Sequence, residues 1–185
     1  MPAAASAHDI AAELRRRLPG VGTKKLHKLL YYCQGHHLAA FDQPLFAEQV
    51  AAWDMGPVVA ELWRDENRGH QPPPPRPLSE AELNTVGYVL SRYGNLTGND
   101  LERLTHNETP WQIADSNRAP RGSATIRHEW IRDYFRSTGA PGDEEDEPVL
   151  DTAVVRAWLV ETLKHPHPTQ VDDLDALRAR ATAGV

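Results

Sequence analysis

KLHKLLYYCQGHHLA, residues 25–39, is the stretch that decides the fold class. Leu26, Leu29, Leu30, Cys33 and His37 recur at the three- and four-residue steps of one helix face. With Thr23 as its N-cap, a helix is expected over residues 24–40, with Lys24, Lys28 and Gln34 pointing away from that face. Tyr31 and Tyr32 are about 100° apart around such a helix, so one can be buried while the other reaches the edge of the apolar face. Cys33 shares the apolar face and reads as a small buried residue rather than a reactive thiol. As the single cysteine of the chain it excludes an internal disulfide, which fits a reducing compartment.

Upstream, Ile10, Leu14 and Leu18 outline a first amphipathic helix, with Asp9 as its N-cap, Pro19-Gly20 as its stop and Arg15, Arg16 and Arg17 on the wet side. Downstream, residues 46–53 are compatible with extended chain or a short helix. The string AWDMGPVVAELW, residues 52–63, then places glycine at a turn and proline at a first helical position. A helix is expected to start at Pro57, with Val59, Leu62 and Trp63 inward. GHQPPPPRP, residues 69–77, lacks backbone donors at its prolines and reads as a stiff surface connector, although it contains a P-x-x-P ligand pattern.

Ser79 with Glu82 forms a capping-box pattern ahead of Leu83, Val86, Leu90 and Tyr93, closed by Gly94. A helix from Thr97 or Asn99 to Thr105 follows, then a restart at Thr109-Pro110 carrying Trp111 and Ile113. Ile126, Trp130, Ile131, Tyr134 and Phe135 outline a last strongly apolar helix. The expectation is a mainly α fold, a compact bundle of five to seven helices with at most a minor β pairing, over residues 1–138. An acidic flexible linker at 139–148 and a C-terminal helical extension at 149–185, with Trp158 at the centre of its apolar face, complete the plan.

Charge is divided unevenly. Residues 139–185 hold ten acids and four bases, so they carry the whole net charge of −6, and the preceding 138 residues are neutral. Duplex binding requires Lys and Arg to neutralise phosphates. With no basic recognition helix and no zinc-finger spacing, autonomous DNA binding is disfavoured, and the acidic tail suits a basic protein partner. No run approaches the roughly 20 apolar residues of a membrane span and the N-terminus lacks a secretion-signal core, so a cytoplasmic location is expected.

Candidate chemistry is sparse. His36 and His37 diverge on a helix, His165 and His167 lack companion ligands, and neither H-E-x-x-H nor C-x-x-C occurs, so no metal, cofactor or catalytic residue is expected. His106, in LTHNETPW at residues 104–111, reads as a structural imidazole before it reads as a general base, because no partnered nucleophile accompanies it. Lys25, Lys28, Tyr32 and Gln34 could line a small anion or nucleotide pocket. More often such residues form a solvated face or support the bend at residues 53–58, and no phosphate-binding glycine loop accompanies them.

Taken in register, the opening Lys25-Leu26-x-Lys28-Leu29-Leu30-Tyr31-Tyr32, the Ala52-Trp53 and Gly56-Pro57-Val58 pair, Thr105-His106 with Pro110-Trp111, and the closing segment 126–135 resemble the Panacea, or SocA-like antitoxin, domain. The likeness runs from about residue 23 to 136. It implies an antitoxin of a type II-like toxin–antitoxin system that holds a cognate protein toxin inactive by direct contact, without chemistry of its own. Toxins associated with such domains include nucleotide-directed enzymes, the alarmone synthetases. A branch of the family implies instead an adaptor delivering the toxin to an ATP-dependent protease, and a small-ligand-binding regulatory module is a further alternative. The expected interface combines the first, central and Gly56-Pro57 helices, with Lys25, Lys28, Tyr32, Gln34, Trp53, Gly56, Pro57, His106 and Trp111 as interface or family-motif residues. The acidic tail with Trp158 lies outside the likeness, has no inherited role and supplements that surface as a clamp on a basic patch.

Overall fold

Helix α1 (Ala7–Arg17) starts at a capping box in which Ser6 is the N-cap and Asp9 the third helical residue. Asp9 was expected to be the cap itself. Its carboxylate instead accepts from the Ser6 N–H and hydroxyl while the Ser6 oxygen accepts from the Asp9 N–H, so the helix begins one turn earlier. The computed structural model describes residues 5–138; the expected linker at 139–148, the extension at 149–185 and Trp158 lie outside the described residues.

Helix α2 (Thr23–Phe41) is the central helix of the described residues. Thr23 lies inside the helix and Gly22 occupies the cap position without a side-chain bond, a second departure from the expected boundary. Every residue from Leu26 to Gly35 is buried, because the helix is enclosed by α1 and by α4 (Glu80–Tyr93), α5 (Gly98–His106), α7 (His128–Thr138) and strand β2 (Gly56–Val59). An amphipathic stripe therefore underestimates the burial. Lys28 and Gln34, expected to face away from the core, are 1% and 0% exposed, and Tyr31 and Tyr32 are both enclosed.

Residues 50–59 form a β-hairpin. Strand β1 (Val50–Trp53) pairs antiparallel with β2 in the register Val50 with Val59 and Trp53 with Gly56, and β3 (Ala124–Thr125) adds to the other edge of β1. The expected helix start at Pro57 is thus corrected to a strand, and α3 (Ala60–Asn67) begins three residues later. The alternative to a helix start was the tight turn through Asp54 and Met55, which glycine serves equally well. Gly56 sits at φ +96°, and a Cβ there would lie 2.7 Å from Lys28 Cε. Gly56→Ala should therefore lower stability by about 2 kcal/mol in urea unfolding at equilibrium, through backbone strain and collision with a buried side chain. An unchanged midpoint would remove the close approach from the account.

The remaining elements close the bundle. A capping box at Ser79/Glu82 starts α4, as its sequence predicts, and one at Thr97/Asp100, which was not anticipated, starts α5 close to its expected boundary. On α4 the inward face is turned from the expected one: Thr85, Val86 and Val89 are buried, while Leu90 and Tyr93 are half-buried against the core. Residues 70–79 connect α3 to α4 without regular structure, and Arg76 within them binds Glu82. Helix α6 (Thr109–Ser116) carries Pro110 in its first turn, and α7 presents Ile131 and Phe135 inward. Seven helices and one small three-stranded sheet make up the described residues, a mainly α fold with minor β pairing.

Candidate functional site

A cleft of about 760 Å³ opens where the first turns of α2, the β1–β2 turn, α3 and the loop at residues 121–123 converge. Its walls are apolar: Trp53 and Trp63 meet edge to face with centroids 5.0 Å apart, and Met55 and Val58 continue the surface. Trp63 was expected inward but is 36% exposed, because α3 starts late and turns that side of the helix toward the cleft. The Trp53 indole N–H donates to Ser123 Oγ, and Arg118 bridges Asp115, Asp54 and the Gly122 carbonyl, which holds the far wall in place.

His27 and Lys28 supply the polar part of the lining. The His27 ring is 98% buried and its Nδ1 accepts the Val59 N–H at 3.2 Å. Nε2, on the ring edge away from that bond, has no hydrogen-bond partner among the described residues. Burial, with help from Lys28 and Arg15, depresses the imidazole pKa to about 4. The ring is therefore neutral near pH 7, and since Nδ1 is the acceptor, Nε2 carries the proton. This histidine holds an unused N–H donor at Nε2 and is not disposed to act as a base.

Lys28 donates through Nζ to the Pro57 carbonyl at 3.1 Å and fills the space under Gly56. Burial lowers its pKa to about 8, against the opposing pull of Glu102, so the ammonium form still predominates at pH 7. Glu102 itself is bound to Lys24, and Asp54 to Arg118. Lys28 and Arg121, at the rim, form no ion pair among the described residues. The cleft therefore offers a cationic end, a neutral N–H donor and an aromatic wall.

The other residues singled out by sequence do not all meet here. Trp53 and Lys28 line the cleft, Gly56 and Pro57 pack against the Lys28 side chain behind it, and Trp111 donates its indole N–H to the Trp53 carbonyl at 3.3 Å. His106 stacks on Trp111 with centroids 4.1 Å apart, so it supports Trp53 at one remove. Lys25 instead donates to the Gly94 carbonyl and ties α2 to the end of α4. Gln34 is a buried clamp, its oxygen accepting from Leu45 and Phe46 N–H and its nitrogen donating to the Phe46 carbonyl. Tyr32 joins Tyr31 in a core cluster around Glu108. The idea that Lys25, Lys28, Tyr32 and Gln34 line one pocket is corrected: on an enclosed helix their polar ends reach different neighbours.

Sequence reading overlooked His27, Met55, Arg121 and Glu108. Glu108 ends the loop before α6 and takes one hydrogen bond from each tyrosine hydroxyl, 2.8 Å from Tyr31 and 2.8 Å from Tyr32. Burial raises its pKa to about 7, partly offset by those two donors. The only sequence signal was its place at the N-cap of a Thr-Pro helix start, which says nothing of two tyrosines some 76 residues away.

Part of this arrangement falls within a family match, which leaves out Thr23, Lys24 and the wall at residues 121–123. Residues 26–112 match the antitoxin SocA-like, Panacea domain family. The Panacea match spans most of α2 through the first turn of α6, so it contains the hairpin, Lys28 and Glu108. It ends before the segment 126–135, which the resemblance had included, and omits α1. No curated protein and no solved structure matches the chain. The Panacea domain supports an antitoxin-associated role in general, with a toxin as the partner class. Among the described residues no helix is long and apolar enough to cross a membrane.

Proposed function

We propose that this protein is an antitoxin that neutralises its cognate protein toxin by direct, stoichiometric binding. The observation that carries the proposal is the Panacea match over residues 26–112.

Residues 139–185 contribute a net charge of −6 to a chain whose remainder is neutral, and we assign them to a basic surface of the toxin. Co-expression with the product of the neighbouring reading frame should restore growth, and purified antitoxin should inhibit the toxin at one equivalent with no protease present. Inhibition at a small fraction of an equivalent would show turnover and overturn direct occlusion, as would rescue that needs an ATP-dependent protease. Removal of residues 139–185 should weaken the complex and flatten its salt dependence. Unchanged affinity on removal would confine the interface to the bundle.

A further inference from the structure

The histidine–lysine pair beside Trp53 and Trp63 has a chemistry that toxin occlusion does not use. We propose that the cleft is a small-molecule site for a ligand with a flat apolar body and one carboxylate. The apolar body lies against Trp53, Trp63, Met55 and Val58, and the carboxylate reaches the His27 Nε2–H and the Lys28 ammonium.

Three independent features carry this. First, a volume of about 760 Å³ with mostly apolar walls and a few converging polar groups is what small-ligand sites present. Second, an imidazole N–H that is buried without an acceptor has lost its hydration with nothing in return, and a bound acceptor removes that cost. His27 is held in this state by a backbone bond, so its tautomer is set before any ligand arrives.

Third, the local charges favour an anion. Of the acids around the cleft, Asp54 shares Arg118 with Asp115 and Glu102 is bound by Lys24, while Lys28 has one neutral acceptor for its three hydrogens and Arg121 has no acid partner among the described residues. Arg121 also holds a left-handed backbone conformation at φ 57°, which a non-glycine residue adopts at a cost. A carboxylate at this point completes the hydrogen bonding of both His27 and Lys28. An apolar ligand without one would leave both as they are.

The probes are 3-phenylpropionate and its neutral counterpart 3-phenylpropanol, titrated into the full chain by calorimetry and by proton–nitrogen NMR of the indole and imidazole groups. Saturable binding of the acid is expected, with the alcohol about ten-fold weaker, the equivalent of one charge-assisted hydrogen bond. Lys28→Met should erase that preference and leave alcohol binding intact, which also reports that the variant is folded. Arg121→Gln, at an exposed position, should weaken the acid alone, and Trp63→Ala should weaken both probes. The site is overturned if neither probe saturates, or if the shifted resonances lie away from His27, Trp53 and Trp63. The anion part is overturned if acid and alcohol bind equally, or if the acid affinity is unchanged in either folded charge variant. None of these readouts involves the toxin, so the outcome stands apart from the antitoxin proposal.

Discussion

Glu108→Gln is expected to make the protein relatively more stable as pH rises from 5 to 8, by about 3 kcal/mol in the difference between variant and parent. The parent carboxyl has a folded-state pKa of about 7, raised by burial from an ordinary value of 4.5. A raised pKa means that the folded state holds its proton where the unfolded chain has lost it. Below the unfolded pKa both states are protonated and burial of the group carries no charge penalty. Through the window from 4.5 to 7 the unfolded state ionises first, so stability is lost as pH rises and the loss is complete above the folded pKa. Glutamine keeps the shape and both tyrosine partners, its oxygen accepting from one hydroxyl and its nitrogen donating to the other, but it has no proton to lose. Urea midpoints of both proteins at pH 5 and pH 8 test this. Parallel curves would mean that Glu108 is not the buried acid described. Glu13, whose two arginine partners hold its pKa down to about 2, is common to both proteins and cancels in the difference.

Gly35→Ala should be strongly destabilising, by about 3 kcal/mol, although glycine-to-alanine in a helix interior normally gains up to about 1 kcal/mol. A Cβ at this position would lie 2.3 Å from Phe135 Cε2 and 2.4 Å from Cδ2. The ring cannot easily retreat, since Tyr31, Tyr32 and His36 surround it at centroid distances of 5.7, 5.9 and 4.7 Å. Glycine here is a notch that lets α7 approach α2. Combining Gly35→Ala with Phe135→Leu should recover much of the loss, measured as a coupling energy in a double-mutant cycle. If Gly35→Ala raises the unfolding midpoint, the α2–α7 contact is not as close as described.

Helices whose signals are local were legible in the chain. The capping box at Ser79/Glu82 and the proline start of α6 need only neighbours three or four residues away, and they appear where the sequence puts them. The hairpin was not legible, because Asp54-Met55-Gly56-Pro57 satisfies either a helix entry or a tight turn. The partner that selects the turn is β3, more than 60 residues on, together with Lys28 beneath Gly56. The candidate site divides in the same way. Lys28, Trp53, Gly56 and Pro57 were marked by local pattern, whereas His27 and Arg121 gain their meaning only from Val59 and the cleft.

Periodicity, caps and turn residues by themselves determined that this is a helical protein built around residues 25–39, and that its excess negative charge lies beyond residue 138. Only the tertiary structure decided which side of that central helix is inside. The answer was every side from Leu26 to Gly35, so side chains that look destined for water became internal supports: Lys28 for the hairpin, Gln34 for the loop at residues 45–46, and the two tyrosines for Glu108. The physical reason is that a hydrophobic stripe specifies one buried face, while enclosure of the others depends on distant elements that bring a hydrogen-bond partner for each polar group they cover.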